Sequence, residues 1–164
     1  MGFFDKLFGG KSKDENTAKF TNQSKTVLTP LQGKVLAQTF AQGILGPGCG
    51  IEPTGDTVYA PFDGTVTQIA TTLHAVGITS NDGIELLIHV GMDTVDMKGQ
   101  GFTVLVKENQ KVTAGTPLLK VDLDAIRAAG HPTATAIIVT DGAGDEVKML
   151  AEGDVAPGTP LFKV

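Results

Sequence analysis

The 164 residues suit one domain with a sizeable core, and 21 glycines and 8 prolines among many Val, Ile and Thr residues favour short strands joined by turns. A net charge of −5, no tryptophan and a single tyrosine, Tyr59, exclude the basic face and stacking platforms of a nucleic-acid binder. The lone cysteine, Cys49, excludes an internal disulfide and a thiolate metal cage.

Residues 1–25 differ in character from the rest. Met1-Gly-Phe-Phe-Asp-Lys-Leu-Phe8 places Phe3, Phe4, Leu7 and Phe8 on one side of a short helix, with Lys11 and Lys13 just beyond Gly9 and Gly10. Such a segment can rest weakly in a membrane interface or dock on its own domain, and the sequence supports both readings equally. Residues 9–25 are polar, with the composition of a flexible linker. No apolar run reaches the roughly 18–20 residues of a membrane span, and the N-terminus lacks the pattern of a secretory signal. The expectation is a cytoplasmic protein that can lie at the inner face of the membrane through residues 1–8.

From residue 26 to residue 164 the pattern becomes that of one β domain. Thr29-Pro-Leu-Gln-Gly-Lys-Val35 is echoed by Ala60-Pro-Phe-Asp-Gly-Thr-Val66, a Pro-x-x-Gly-x-Val turn that opens a strand. Gly46-Pro-Gly-Cys-Gly50 reads as a packed turn that keeps Cys49 from acting as a reactive thiol. Ser80-Asn-Asp-Gly83 is a hairpin turn, and Gly83-Ile-Glu-Leu-Leu-Ile-His-Val-Gly-Met-Asp-Thr-Val95 is a strand-like run. Within it Ile84, Leu86, Ile88 and Val90 alternate with Glu85, Leu87 and His89, which assigns the first set to the core. Leu123-Asp-Ala-Ile-Arg-Ala-Ala129, ended by Gly130 and Pro132, is a short helical excursion. Val112-Thr-Ala-Gly-Thr-Pro-Leu-Leu-Lys-Val121 is echoed by Val155-Ala-Pro-Gly-Thr-Pro-Leu-Phe-Lys-Val164. The two echoes, at spacings of 31 and 43 residues, are not a solenoid period. They imply two related hairpin units folded into a closed antiparallel sandwich or barrel with few free edges.

Chemistry concentrates in His74 and His89, which flank the Ser80–Gly83 turn. An imidazole titrates near neutral pH, so its neutral form serves as a nucleophile or a metal ligand. A two-residue Asn81-Asp82 loop would set His74 directly opposite His89, and an Asp82-Gly83 loop would make them diagonal neighbours on one face. An odd-length loop would send them to opposite faces, because side chains alternate along a strand. Two of the three registers therefore build one site, for phosphoryl transfer or metal binding.

The run from Gly83 to Val95 resembles the phosphorylation-site signature of the glucose-type enzyme IIA components of the sugar phosphotransferase system. The resemblance extends through Gly46–Pro53, Ala60–Val66, Thr72-Leu-His74, Lys98-Gly-Gln-Gly-Phe102 and the C-terminus, and residues 1–7 resemble a membrane-contacting N-terminal segment of that family. It implies an all-β antiparallel β-sandwich of the duplicated hybrid motif kind and a phosphotransferase component with a phosphohistidine intermediate. His89 Nε2 would accept a phosphoryl group from the histidine-containing phosphocarrier protein. It would then pass the group to a cysteine of the enzyme IIB domain of a IIB/IIC sugar permease, with glucose the sugar. His74 would stabilise the group in transfer, Thr72 would orient His74, and the Gly91 carbonyl would hold the other nitrogen of His89. Phe40, Ile44, Leu45, Leu87, Val90 and Val95 occupy the positions of an apolar docking rim. Ala70 and Leu87 stand where enteric members carry phenylalanines, which alters partner choice rather than chemistry. Asp93 is an acidic position beside the site. No cofactor is required, and zinc would bind His74 and His89 only where a partner supplies a further ligand.

The alternative is a zinc-binding regulatory protein or a metallohydrolase-like domain using His74 and His89. A catalytic zinc needs three protein ligands and an open position, and the chain lacks the His-x-His pair of β-sheet metallopeptidases. His131, Glu85 and Asp63 read as loop, solvated strand and turn residues outside the site.

Overall fold

The computed structural model describes residues 20–36, 46–144 and 146–164. The N-terminal segment of residues 1–8 and the expected rim residues Phe40, Ile44 and Leu45 lie outside them. In chain order the described residues form strands β1 (Thr26–Leu28), β2 (Gly33–Leu36), β3 (Gly48–Pro53), β4 (Thr57–Tyr59), β5 (Gly64–Ile69), β6 (Ala75–Ser80) and β7 (Glu85–His89). A 3-10 turn, Thr94–Met97, follows, then β8 (Phe102–Val104), β9 (Lys111–Val112), β10 (Pro117–Val121), helix α1 (Leu123–Ala128), β11 (Thr135–Asp141), β12 (Lys148–Met149), β13 (Asp154–Val155) and β14 (Pro160–Lys163).

The strands assemble into one eight-stranded antiparallel sheet, ordered β13-β2-β3-β11-β7-β6-β5-β9, and two three-stranded sheets, β1-β14-β12 and β4-β10-β8. The sequence echoes become a structural duplication. Both β2 and β5 start at the glycine of a Pro-x-x-Gly-x-Val segment, and β13 pairs with β2 as β9 pairs with β5. Hydrogen bonds outside the ladders repeat as well. Thr29 N donates to Thr159 O at 2.7 Å and Ala60 N to Thr116 O at 2.8 Å; Leu28 N donates to Pro61 O at 3.0 Å and Tyr59 N to Pro30 O at 2.7 Å. The last pair crosses from one unit to the other, so the units interlock. An approximate two-fold passes between β11 and β7, the middle strands of the large sheet.

Among the described residues closure into a barrel does not occur: each sheet has two ends, and the large one ends in strands of only two residues, β13 and β9. Strands that short leave little unpaired backbone, which protects the edges without closure. The inner face is apolar as the alternation requires, with Ile84, Leu86, Ile88 and Val90 at most 2% exposed. They pack with Val27, Ile51, Phe62, Val66, Leu118 and Phe162 in one continuous core. Helix α1 starts where Asp122 Oδ1 accepts from Ala125 N at 3.0 Å, and Gly130, at φ 87°, follows its end. Residues 20–25 are tied to the domain: the Phe20 ring lies 5.5 Å from Tyr59, and Asn22 Oδ1 accepts from Asp63 N.

The register of β6 on β7 overturns both two-residue loops. Val76 pairs with Ile88 and Thr79 with Glu85, so the loop is the three-residue Asn81-Asp82-Gly83 closed by Ser80 N to Ile84 O at 2.8 Å. Gly83 adopts φ 97°, the left-handed last position typical of three-residue hairpins. Ser80 Oγ accepts from Ile84 N at 2.8 Å and donates to Asp82 Oδ1 at 2.6 Å. Asp82 Oδ2 in turn accepts from Lys25 N at 2.8 Å. These bonds hold the longer loop in place. The strand-like run also stops early, because Gly91 at φ 76° and Asp93 at φ 60° turn the chain into the 3-10 segment.

Cys49 lies in β3 rather than in a turn. It is 0% exposed, and burial pushes its thiol up to about 12. Native protein should therefore resist iodoacetamide, with alkylation appearing only as denaturant unfolds the domain. Rapid labelling in the native state would contradict this burial.

Candidate functional site

In the observed register Ala75, not His74, pairs with His89, and strict alternation would turn the two histidines to opposite faces. The rings nevertheless meet edge to face, with centroids 4.7 Å apart and planes at 83°. Alternation does not bind either residue here. His74 precedes β6 in the loop after β5, next to Leu73 at φ 65°, and His89 is the last residue of β7. A left-handed leucine is sterically disfavoured by roughly 1–2 kcal/mol.

Each imidazole is held by its Nδ1. His89 Nδ1 lies 3.0 Å from Gly91 O. A carbonyl can only accept, so Nδ1 carries the proton and the lone pair of the neutral ring sits on Nε2. His74 Nδ1 lies 2.8 Å from Thr72 Oγ1, a hydroxyl able to donate or accept. The sequence-derived trio Thr72, His74 and His89 is thus one connected site.

The turn after β7 fixes the Gly91 carbonyl. Met92 N donates to Pro132 O at 3.0 Å and Thr94 Oγ1 to Val90 O at 2.5 Å. A Cβ on Gly91 would stand 2.5 Å from Thr94 Cγ2 and 3.0 Å from Pro132 O, and its φ of 76° disfavours any side chain. Phe102 completes the surroundings, its ring 6.4 Å from that of His74. Neither Phe102 nor Leu73 was singled out by type or spacing.

Of the expected apolar rim, three residues are described. Leu87 is half-buried and Val95 is 49% exposed, but Val90 is 0% exposed, packed in the core beside Ile88. Alternation along β7 places Val90 inward, and this removes it from any docking surface. Asp93 is exposed, and its side chain makes no cap hydrogen bond to the 3-10 turn. Glu85 is exposed and Asp63 Oδ1 accepts from Ala114 N in a turn, as expected, while His131 sits half-buried after α1. Among the described residues no group of three or more His, Cys, Asp or Glu side chains could hold a metal ion, so a three-ligand zinc centre has no place there. No described helix is long and apolar enough to cross a membrane.

A duplicated antiparallel sandwich with this histidine pair, His89 on central strand β7 and His74 in the loop before β6, defines a class, the phosphotransferase relay domains of sugar uptake. Residues 20–144 match the family described as phosphoenolpyruvate-dependent sugar phosphotransferase system, EIIA 1, and the chain belongs to that family. It is similar to the glucose-specific EIIA component of Halalkalibacterium halodurans, 41% identical over 84% of this chain and 83% of that one. It is also similar to the glucose-specific EIICBA component of Streptococcus pneumoniae serotype 4, 41% identical over 92% of this chain but spanning only 22% of that protein's length. Among solved structures, glucose permease IIA from Mycoplasma capricolum superposes with a TM-score of 0.77 at 31% identity, over 88% of this chain and 98% of that one.

Burial holds the His74 imidazole below its ordinary value of 6.5, and His89 beside it acts in the same direction, while Thr72 opposes them. The unfolded chain therefore takes a proton at this position more readily than the folded one. The stability contributed by neutral His74 is complete above about pH 6.5 and is lost as the pH falls through the lower folded value. Thermal unfolding midpoints should drop from about pH 7.5 to about pH 5, and drop less in His74→Gln. Equal drops in the two proteins would remove His74 from the account.

Proposed function

We propose that this protein is the cytoplasmic phosphocarrier of a sugar phosphotransferase system and that His89 carries the phosphoryl group. The observation that carries the reading is the bond from His89 Nδ1 to Gly91 O, which leaves the Nε2 lone pair for attack. Nε2 attacks the phosphorus of a phosphohistidine on the histidine-containing phosphocarrier protein. The donor's N–P bond breaks and its imidazole keeps the electron pair. The phosphorylated ring then bears a positive charge, which the Gly91 carbonyl stabilises through the retained Nδ1 proton. Onward, a thiolate of the enzyme IIB domain attacks the phosphorus and the pair returns to Nε2.

His74 serves this transfer as a neutral donor. With Thr72 Oγ1 donating to its Nδ1, the proton of His74 lies on Nε2 and can bond a phosphoryl oxygen. The lowered proton affinity of His74 keeps that tautomer neutral near pH 7. Such positioning and charge stabilisation is most of what phosphoryl transfer requires. Leu87 and Val95 supply apolar surface for the partners. The names of similar proteins support glucose as the sugar and an enzyme IIB domain as acceptor, since the EIICBA relative carries both functions in one chain. We infer that zinc would join the two histidines only with a ligand from a partner, and that residues 1–8 would meet the membrane's inner face.

Phosphoenolpyruvate-dependent labelling with enzyme I and the histidine-containing phosphocarrier protein tests the relay. Wild type should take an acid-labile label and His89→Gln none. His74→Gln should be labelled but pass the group to the IIB domain at least about a hundredfold more slowly, equivalent to ~2.7 kcal/mol of transition-state stabilisation. Label on His89→Gln, or none on wild type, would overturn the assignment.

A further inference from the structure

We infer that Leu73 is a positioning residue of the relay, acting through its left-handed backbone rather than through its side chain. The inference rests on the phosphocarrier reading. Thr72 and His74 occupy the loop between β5 and β6, and Leu73 between them has φ 65°. Ala70 N donates to Ala75 O at 3.0 Å and Leu73 N to Ala70 O at 2.8 Å, so residues 71–74 make a four-residue hairpin loop. A loop this tight returns to its strand through a residue at positive φ, a role that suits glycine or asparagine. Here leucine fills it. That conformation folds the Thr72 hydroxyl back onto His74 Nδ1, at 2.8 Å, and so fixes which ring nitrogen faces the phosphoryl group. The His74 carbonyl is meanwhile pinned by Val90 N at 2.9 Å.

The strain persists because the surroundings hold it. Leu73 packs against the main core, and its Cδ1 would stand 3.5 Å from a Cβ placed on Gly99, itself at φ 90°. Backbone and side chain therefore make separable contributions, and substitutions can part them. Leu73→Asn keeps positive φ and gives up the packing. Leu73→Val keeps apolar bulk, but a β-branched residue resists positive φ.

The test measures transfer from phosphorylated His89 to the IIB domain together with the ¹⁵N ring signals of His74 in the unphosphorylated protein. Leu73→Asn should transfer within about threefold of wild type with His74 signals unchanged. Leu73→Val should slow transfer at least about tenfold and shift those signals towards the other tautomer. In a His74→Gln background Leu73→Val should add nothing further, since both changes remove one interaction. Where valine prevents folding, Leu73→Gly against Leu73→Ala replaces the comparison, because both lose the packing and differ in tolerance of positive φ. Glycine should then be the faster. The reverse order, valine or alanine retaining rate and signals while asparagine or glycine loses them, would overturn the inference. The ring signals need no partner protein, so failure of the relay reading would appear separately, as wild type that takes no label.

Discussion

A single hydroxyl, Ser80 Oγ, fixes how the two halves of the site meet. It accepts from Ile84 N and donates to Asp82, closing a three-residue turn that sets β6 against β7. Everything downstream follows from that register. Ile84, Leu86, Ile88 and Val90 face the core, His89 faces the other way, and His74 falls just outside the ladder. A two-residue turn would shift β6 by one position and turn its side chains to the wrong faces. The turn is also anchored from a distance, since Asp82 accepts from Lys25 N and Ser24 Oγ at the entry to β1. Hydrogen bonding to Ser80 is the largest influence holding the Asp82 carboxyl below its ordinary range, so the lock is fully formed at neutral pH.

The duplication supplies the rigid frame for this register. Two interlocked units put β7 and β11 at the centre of the large sheet, where each has a neighbour on both sides. His89 therefore projects from a strand paired on both sides, with Ala75 on one and Ala136 on the other. Both flanking side chains are small, which leaves room for the imidazole. Such a placement suits a group that must meet two successive partners with its nucleophile already oriented. The loop carrying Thr72 and His74 departs from sheet geometry through one strained residue, Leu73 at φ 65°.

Much of this was legible in the chain. The alternation around Ile88 marks the core face, the Pro-x-x-Gly-x-Val echo marks the starts of β2 and β5, and Gly130 follows the end of the helix as its type requires. Thr72, His74 and His89 stand out in the sequence, and the fold brings their side chains into contact. The register was not legible, because Asn81-Asp82-Gly83 suits loops of two or three residues and part of the turn's bonding comes from Lys25, 57 positions away. Two even registers brought the histidines together on paper; the odd one does so by a route that alternation excludes. Leu73 left no trace either, since leucine has no preference for positive φ. Val90 shows the opposite failure, where a position borrowed from a resemblance contradicted the periodicity of its own strand.

The ring nitrogen that bears phosphate tests the central claim most directly. ¹H–¹⁵N correlation spectra of the phosphorylated protein, labelled with ¹⁵N-histidine, distinguish the two nitrogens. The bond to Gly91 O predicts phosphate on His89 Nε2 with the proton retained on Nδ1. Phosphate on Nδ1 would require that bond to break, and would contradict the orientation on which the relay depends.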